Sequence, residues 1–255
     1  MYAEGIPETE TERRNTMKIM RKIAEKQADL YQPPVTIAFL GDSVTQGCFE
    51  VYRTEAGEVQ TVFDRAQSYS AKLEALLAML YPSVPVQIIN AGISGDCAPR
   101  GLARLERDVL AFHPDLTVVA FGLNDVCRED ETMEEYLSAL DGIFARLDAA
   151  GSEVIFMTPN MMNTRMSERL HEPEIRKIAA DTMAVQTGGE LGRYLDAAKA
   201  LCAARGVRVC DCYEKWMRLA ESGVDTTALL ANAINHPTRE MHWLFANALL
   251  EELLR

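Results

Sequence analysis

The sequence is poor in histidine and has no long apolar run, and each shortage narrows what the chain can be. No stretch of about twenty apolar residues occurs, so the sequence predicts no membrane span. Four histidines and six cysteines without a C-x-x-C pair argue against a zinc site, and we expect no metal. The N-terminus lacks the basic start and apolar core of a secretory signal, so we expect a cytoplasmic protein with reduced thiols.

Positive charge is also scarce. Lysine and arginine number 26 against 38 aspartates and glutamates, which gives a formal net charge of -12. Such a surface repels polyanions, so we expect no nucleic acid partner. The loop after the first apolar run lacks Gly-Lys-Ser/Thr, so it is not a nucleotide P-loop, and we expect no cofactor.

Length and composition favour one globular domain. The 255 residues are 48% hydrophobic, which suffices for a substantial core, and we find no repeat or linker. We therefore predict a single domain over residues 1–255. It carries an N-terminal helical extension at 1–33, with a helix over residues 9–31, and a helical insertion at 161–204 that covers the sheet edge as a packing element or a lid.

Five short apolar runs alternate with helical patterns. Runs of this kind, rich in β-branched residues, are typical of strands buried on both faces of a parallel sheet. Their alternation with helices predicts a doubly wound α/β layer fold. The runs are Val35–Leu40, Val86–Asn90, Leu116–Phe121, Glu153–Met157 and Val207–Asp211.

Polar residues follow these runs, at the sheet end where open α/β folds bind ligands. Ser43 follows the first run, Gly95 the second and Asn124 the third, and His236 lies late in the chain. Each has an ordinary structural explanation when taken alone, as a turn, a cap or a core histidine. Together they supply what acyl transfer needs: Ser43 as nucleophile, His236 as base, and oxyanion donors in the backbone N–H groups of Ser43 and Gly95 and the amide of Asn124.

Four sequence blocks around these residues resemble the SGNH hydrolases, the GDSL esterase/lipase family. They occur in the family's order, and the resemblance covers about residues 34 to 255. It implies a flavodoxin-like three-layer α/β/α fold with five parallel strands in the order 2-1-3-4-5. It also implies ester hydrolysis by a Ser–His pair with a three-donor oxyanion hole and no metal. The blocks are Gly41-Asp42-Ser43, Asn90 to Asp96, Gly122-Leu123-Asn124-Asp125 and Asn235-His236-Pro237.

The chain departs from this family behind the histidine. The family usually places an aspartate three or four residues before it, where this sequence has Ala233 and Asn232. Asn232 can accept a hydrogen bond from the imidazole but cannot offset its positive charge. We therefore assign Asn232, or alternatively a backbone carbonyl, to orient His236, as part of a modified triad or a Ser–His dyad. Asp225 is a further substitute upstream.

Two hypotheses follow. The first is an esterase that cleaves small acyl esters, among which the resemblance favours acetyl esters of carbohydrates. Its partner is then a small-molecule ester, and the sequence is compatible with a monomer or a homo-oligomer. The second is a catalytically weakened member of the family that binds an acylated ligand or a protein.

Cys48, Cys97 and Cys127 follow the three loops, and we interpret them as small apolar residues that fill the core rather than as a thiol-lined pocket. We interpret His242 as a core residue.

Overall fold

A parallel sheet with helices on both faces organises the computed structural model, which describes residues 17–255. The strands are β1 (Val35–Gly41), β2 (Cys48–Arg53), β3 (Val59–Phe63), β4 (Val86–Gly92), β5 (Leu116–Ala120), β6 (Glu153–Met157) and β7 (Arg208–Cys210). The helices are α1 (Lys18–Ala28), α2 (Ser43–Gln46), α3 (Tyr69–Leu80), α4 (Ala98–Asp108), α5 (Met133–Ala149), α6 (Pro173–Thr187), α7 (Glu190–Arg205), α8 (Cys212–Glu221) and α9 (His242–Leu253).

The main sheet has the order β4-β1-β5-β6-β7, with every neighbouring pair parallel. Counted without the β2–β3 pair, this is the order 2-1-3-4-5, so the predicted α/β fold is confirmed. The five predicted strands are all present, with bounds within two residues of the apolar runs. Because the strands run parallel, their carboxyl ends meet at one edge of the sheet, where the loops that carry Ser43, Gly95 and Asn124 also lie.

The core lies on both faces of the sheet because side chains alternate along each strand. Ile37 and Phe39 of β1 pack into one buried cluster together with α3 and α9. Ala38 and Leu40 pack into the other, together with α4 and α5. All seven residues of β1 are buried, which explains why its sequence is apolar without alternation.

The N-terminal helix is confirmed over the part of its range that the structure describes. Helix α1 begins at Lys18, and the predicted residues 9–16 lie outside the described residues. The Glu153 carboxylate accepts the N–H groups of Lys18 and Ile19, which fixes the first turn against β6. Ile19, Met20 and Ile23 are buried against the core.

The predicted helical insertion contains two helices with different places in the fold. Helix α7 is the crossover between β6 and β7, so it belongs to the basic alternation of strands and helices. Helix α6 is the additional element, and its Ile175 and Ala179 pack against Ala233 and Ile234 in the loop before His236. In residues 17–255 no helix is both long and apolar enough to cross a bilayer.

A two-stranded antiparallel hairpin, β2–β3, is an element that the sequence patterns did not predict. It follows α2 directly, so it begins within a few residues of Ser43. Tyr52, Val59 and Phe63 are exposed on it, and only Cys48 and Phe49 of β2 are fully buried. The hairpin therefore stands at the carboxyl edge of the main sheet, beside the predicted site.

Candidate active site

Ser43 begins the short helix α2, immediately after β1. The Asp42 carboxylate caps this helix by accepting the N–H of Val44 at 2.9 Å. The turn is tight at Gly41, where an added Cβ would lie 2.1 Å from the Thr45 hydroxyl oxygen, so no side chain fits there. Ser43 is 4% exposed, so almost all of its side chain is shielded from solvent.

His236 contacts Ser43 as predicted. Its Nε2 lies 3.0 Å from the Ser43 Oγ, and its Nδ1 lies 2.9 Å from the backbone carbonyl oxygen of Phe49. A carbonyl oxygen only accepts hydrogen bonds, so Nδ1 carries the proton and Nε2 is free to accept the Ser43 hydroxyl. Burial lowers the pKa of His236, and the hydrogen bond to Phe49 partly opposes that shift. The imidazole is therefore held neutral, in the tautomer that a general base requires.

Asn232 forms no hydrogen bond with the imidazole of His236, whose two nitrogens contact Phe49 and Ser43. Its Oδ1 accepts three backbone N–H groups, from Ile234, Asn235 and His236 itself, at 2.9–3.0 Å. Its amide nitrogen donates to the Asn235 side chain. Of the two groups considered from sequence, the structure places the backbone carbonyl, and not Asn232, on Nδ1. The physical reason is that the loop's own N–H groups saturate the asparagine oxygen.

Ala233 and Asp225, the other two residues considered behind His236, also make their contacts away from the imidazole. Ala233 is buried in the apolar cluster that joins α6 to this loop, and its φ of 56° is one that few residues other than glycine adopt. Asp225 forms an ion pair with Arg165 at 2.5 Å and accepts the N–H of Ala228. Neither supplies a carboxylate to the imidazole.

We expect the Asn232→Asp variant to hydrolyse esters within about twofold of the wild-type rate, because an aspartate oxygen would accept the same three N–H groups and leave Nδ1 on Phe49. The Asn232→Ala variant should instead lose about 1–3 kcal/mol of stability, since it strands buried N–H donors. Steady-state kinetics and urea unfolding measure both. A tenfold rise in kcat for Asn232→Asp would show that the imidazole turns toward position 232.

The three predicted oxyanion donors lie on loops that the structure brings together. The Asn124 amide donates to the Asp96 carbonyl at 2.8 Å, which ties the loop after β5 to the residue that follows Gly95 and leaves a second amide hydrogen for a ligand. Gly95 has a φ of 74°, and the space where its Cβ would lie is open. Within residues 17–255, no protein acceptor takes the backbone N–H of Ser43 or of Gly95.

Buried carboxyl groups lie beneath this loop cluster. The pKa of Asp42 is raised to about 7, mainly by burial and to a lesser extent by the nearby Asp125 and Asp96, against the lowering effect of the Val44 N–H. Burial also raises the pKa of Asp125, to about 6. The sequence patterns indicated these residues only as parts of motifs, and they did not indicate that several carboxyl groups are buried close together.

Hydrogen bonds from these carboxyl groups fix the loops in place. Asp125 accepts the N–H groups of Ala98 and Gly122, so it joins the start of α4 to the end of β5. Arg104 of α4 pairs with Asp96 at 2.7 Å and also donates to the backbone carbonyls of Gly41 and Ala91, at the ends of β1 and β4. The donors proposed for an oxyanion are therefore attached to rigid elements, as preorganisation requires.

The three loop cysteines and His242 form no hydrogen bond with the His236 imidazole or the Ser43 hydroxyl, whose partners are the Phe49 carbonyl and each other. Cys48 and Cys97 are fully buried, and burial raises their thiol pKa to about 11 and about 12, which leaves them poor nucleophiles. Cys127 is exposed, so the expectation of buried filler is wrong for that residue. His242 is a core residue as expected: its Nδ1 accepts the N–H of Tyr69 at 2.9 Å.

Comparisons with known proteins show which family and which folds the chain resembles. A family model described as GDSL-like lipase/acylhydrolase matches residues 39–244. An acetylxylan esterase from Geobacillus stearothermophilus is 29% identical over 132 residues, which are 48% of this chain and 58% of that relative. The matched segment therefore spans less than two thirds of the relative's length.

Solved structures extend the likeness to most of the chain at the level of the fold. The crystal structure of Axe2, an acetylxylan esterase from Geobacillus stearothermophilus, has a TM-score of 0.63 at 22% identity and covers 86% of this chain and 94% of its own. LAE5, an alpha/beta hydrolase from the metagenome of Lake Arreo, has a TM-score of 0.65 at 24% identity, with coverages of 87% and 96%. Solved catalytic mutants of Axe2 replace a serine, a histidine and an aspartate.

Proposed function

Because the chain belongs to the GDSL-like lipase/acylhydrolase family, a family of carboxylic ester hydrolases, we propose that it is a serine esterase with Ser43 as nucleophile and His236 as base. The observation that carries the proposal is the 3.0 Å contact between the Ser43 Oγ and the neutral Nε2 of His236. A serine hydroxyl becomes nucleophilic when a neighbouring base takes its proton, and this contact provides that base.

In the first half of the proposed reaction, His236 removes the proton from Ser43 as the oxygen attacks the ester carbonyl. The backbone N–H groups of Ser43 and Gly95 and the Asn124 amide donate to the oxyanion that forms. His236 then gives its proton to the leaving alcohol, and an acyl group remains on Ser43. In the second half, His236 activates a water molecule that releases the acid and restores the serine.

For the substrate we propose short acyl groups, in particular acetyl esters of carbohydrates. Ser43 and His236 are 4% and 6% exposed, and such limited exposure favours a small acyl group. The acetylxylan esterase similarity supports the same class. The alternative, a weakened protein that binds an acylated ligand, depended on the missing aspartate, and the comparisons favour an esterase over it.

A panel of esters tests the proposal. We expect acetate release from acetylated xylo-oligosaccharides. We also expect kcat/KM for p-nitrophenyl esters to fall by about tenfold or more from the acetyl to the octanoyl ester, because a nucleophile with so little exposed surface favours a small acyl group. The Ser43→Ala protein serves as the blank. If no ester of the panel is cleaved faster than by that blank, the esterase proposal is wrong. If octanoyl esters are the better substrates, only the short-acyl proposal is wrong.

A further inference from the structure

The carbonyl that holds His236 lies in an irregularity of the β2–β3 hairpin. Cys48 pairs with Phe63 and Val51 pairs with Thr61, so two residues of β2, Phe49 and Glu50, lie opposite a single residue of β3. This is a β-bulge, which takes a residue out of the regular ladder and redirects its polar groups. The bulge explains why the Phe49 carbonyl can accept from the Nδ1 of His236, which lies 2.9 Å away.

A single side chain, Arg239, holds both residues of this bulge. Its two terminal nitrogens contact the two oxygens of Glu50 at 2.6 and 3.1 Å, and its Nε contacts Asp64, just after β3, at 3.2 Å. Its guanidinium also lies 4.3 Å from the ring centroid of Phe49. Arg239 follows His236 by three residues, so it joins the loop that carries the base to the strand that carries the base's acceptor.

Stability alone does not account for so many contacts on one side chain. The side chains of Arg239, Glu50 and Asp64 are 30–44% exposed, and ion pairs at that exposure add little to folding free energy. Their geometry is nevertheless restrictive, because a bidentate pair and a ring contact together fix the guanidinium in direction as well as distance. Catalytic rates respond strongly to displacements of about 1 Å, so such restraint affects turnover more than stability.

We propose that Arg239 is a positioning residue for His236. Together with Glu50 and Asp64 it holds the bulge of β2 in the shape that presents the Phe49 carbonyl to Nδ1, and this assembly takes the place of the aspartate absent behind the histidine. The inference rests on the proposed function, since it concerns how the base of that reaction is held.

The test compares Arg239→Met with Arg205→Met as a matched control. Arg205 also forms a bidentate pair, with Asp141, at a similar exposure of 39%, but it lies at the end of α7, before β7 and away from the site. For p-nitrophenyl acetate we expect Arg239→Met to lower kcat by about 10- to 100-fold, with KM and the unfolding midpoint close to wild type. Arg205→Met should leave kcat unchanged. Glu50→Gln, a milder change in the same assembly, should lower kcat in the same direction.

The pH profile separates positioning from a general loss of structure. The hydrogen bond to Phe49 raises the pKa of His236, so weakening it should move the acid limb of kcat/KM to lower pH in Arg239→Met and Glu50→Gln. Arg239→Lys should restore part of the rate, because it keeps a charge for Glu50 but loses the bidentate fork. Arg205→Met should keep the wild-type limb.

A measurement without substrate makes the two proposals separable. The Nδ1–H proton of His236 should give a downfield NMR signal, assigned by its loss in His236→Gln, that shifts or broadens in Arg239→Met but not in Arg205→Met. If the wild type cleaves no ester faster than Ser43→Ala, the esterase proposal fails while this signal still tests the positioning. If the wild type is active and Arg239→Met matches Arg205→Met in kcat, pH limb and signal, the positioning role is overturned.

Discussion

Replacing Ser43 with alanine should lower kcat for p-nitrophenyl acetate by about 10⁴- to 10⁶-fold while leaving the fold intact. The reaction loses its nucleophile, so a covalent route through the protein no longer exists. The residual rate should still exceed that in buffer, because the donors of Gly95 and Asn124 can bind the oxyanion of a water-attack reaction. Spectrophotometric assays with long incubation times and highly purified protein can measure a decrease in kcat of this size.

Two controls make this result specific. The serine at position 94 lies in the loop before Gly95, where its backbone N–H donates to Gln46 and its side chain hydrogen-bonds to the Cys48 thiol. Because neither contact involves Ser43 or His236, Ser94→Ala should keep close to the wild-type rate. Adding His236→Gln to Ser43→Ala should cost far less than His236→Gln costs the wild type, because most of the effect of the base is exerted through the nucleophile. A Ser43→Ala protein with near wild-type turnover would refute the proposed mechanism.

The central sheet and the Ser43–His236 contact could be predicted because their signals lie in side chains. Strands buried on both faces require apolar β-branched runs, and all five runs became strands. Ser43 and His236 are far apart in sequence, yet motifs at the carboxyl ends of parallel strands converge on one edge, and the two side chains meet there at 3.0 Å.

The group behind His236 could not be predicted, for two physical reasons. The acceptor is the backbone carbonyl of Phe49, and every residue has one, so no residue type marks it. The strand that carries it belongs to a hairpin with half its residues exposed, which lacks the apolar run that identified the other strands. Asn232 attracted attention because its side chain is a capable acceptor, but three nearby N–H groups use that capacity.

The pH dependence of stability should depend on Asp42, the residue next to the nucleophile. Asp42 is 3% exposed, and its folded pKa of about 7 lies above its ordinary value of 3.8. Between these two values the folded protein holds a proton that the unfolded chain releases. The stability this proton contributes is complete below about pH 3.8 and is lost as the pH rises through about 7. At about 1.4 kcal/mol per unit of pKa, the loss reaches on the order of 4 kcal/mol.

The Asp42→Asn variant should escape this loss. Its amide oxygen can still accept the N–H of Val44, so α2 keeps its cap, but no charge forms in the buried site. We expect its free energy of unfolding to exceed that of the wild type by about 3–4 kcal/mol at pH 8 and by about 1–2 kcal/mol at pH 5, where the unfolded wild-type chain has already released its proton. Urea unfolding at the two pH values measures both differences.

Asp211 provides a control with the opposite sign. It also follows a strand and caps a helix, by accepting the N–H of Glu214, but Lys199 and Thr158 stabilise its charged form and its pKa is lowered despite burial. Asp211→Asn should therefore lower the free energy of unfolding at pH 8. This destabilisation should become smaller as the pH falls toward the ordinary pKa of an aspartate. Opposite effects of two similar caps would show that the surroundings of Asp42 oppose its charge. If Asp42→Asn is instead destabilising at pH 8, the carboxylate beside Ser43 is ionised in the folded protein and the loop depends on that charge.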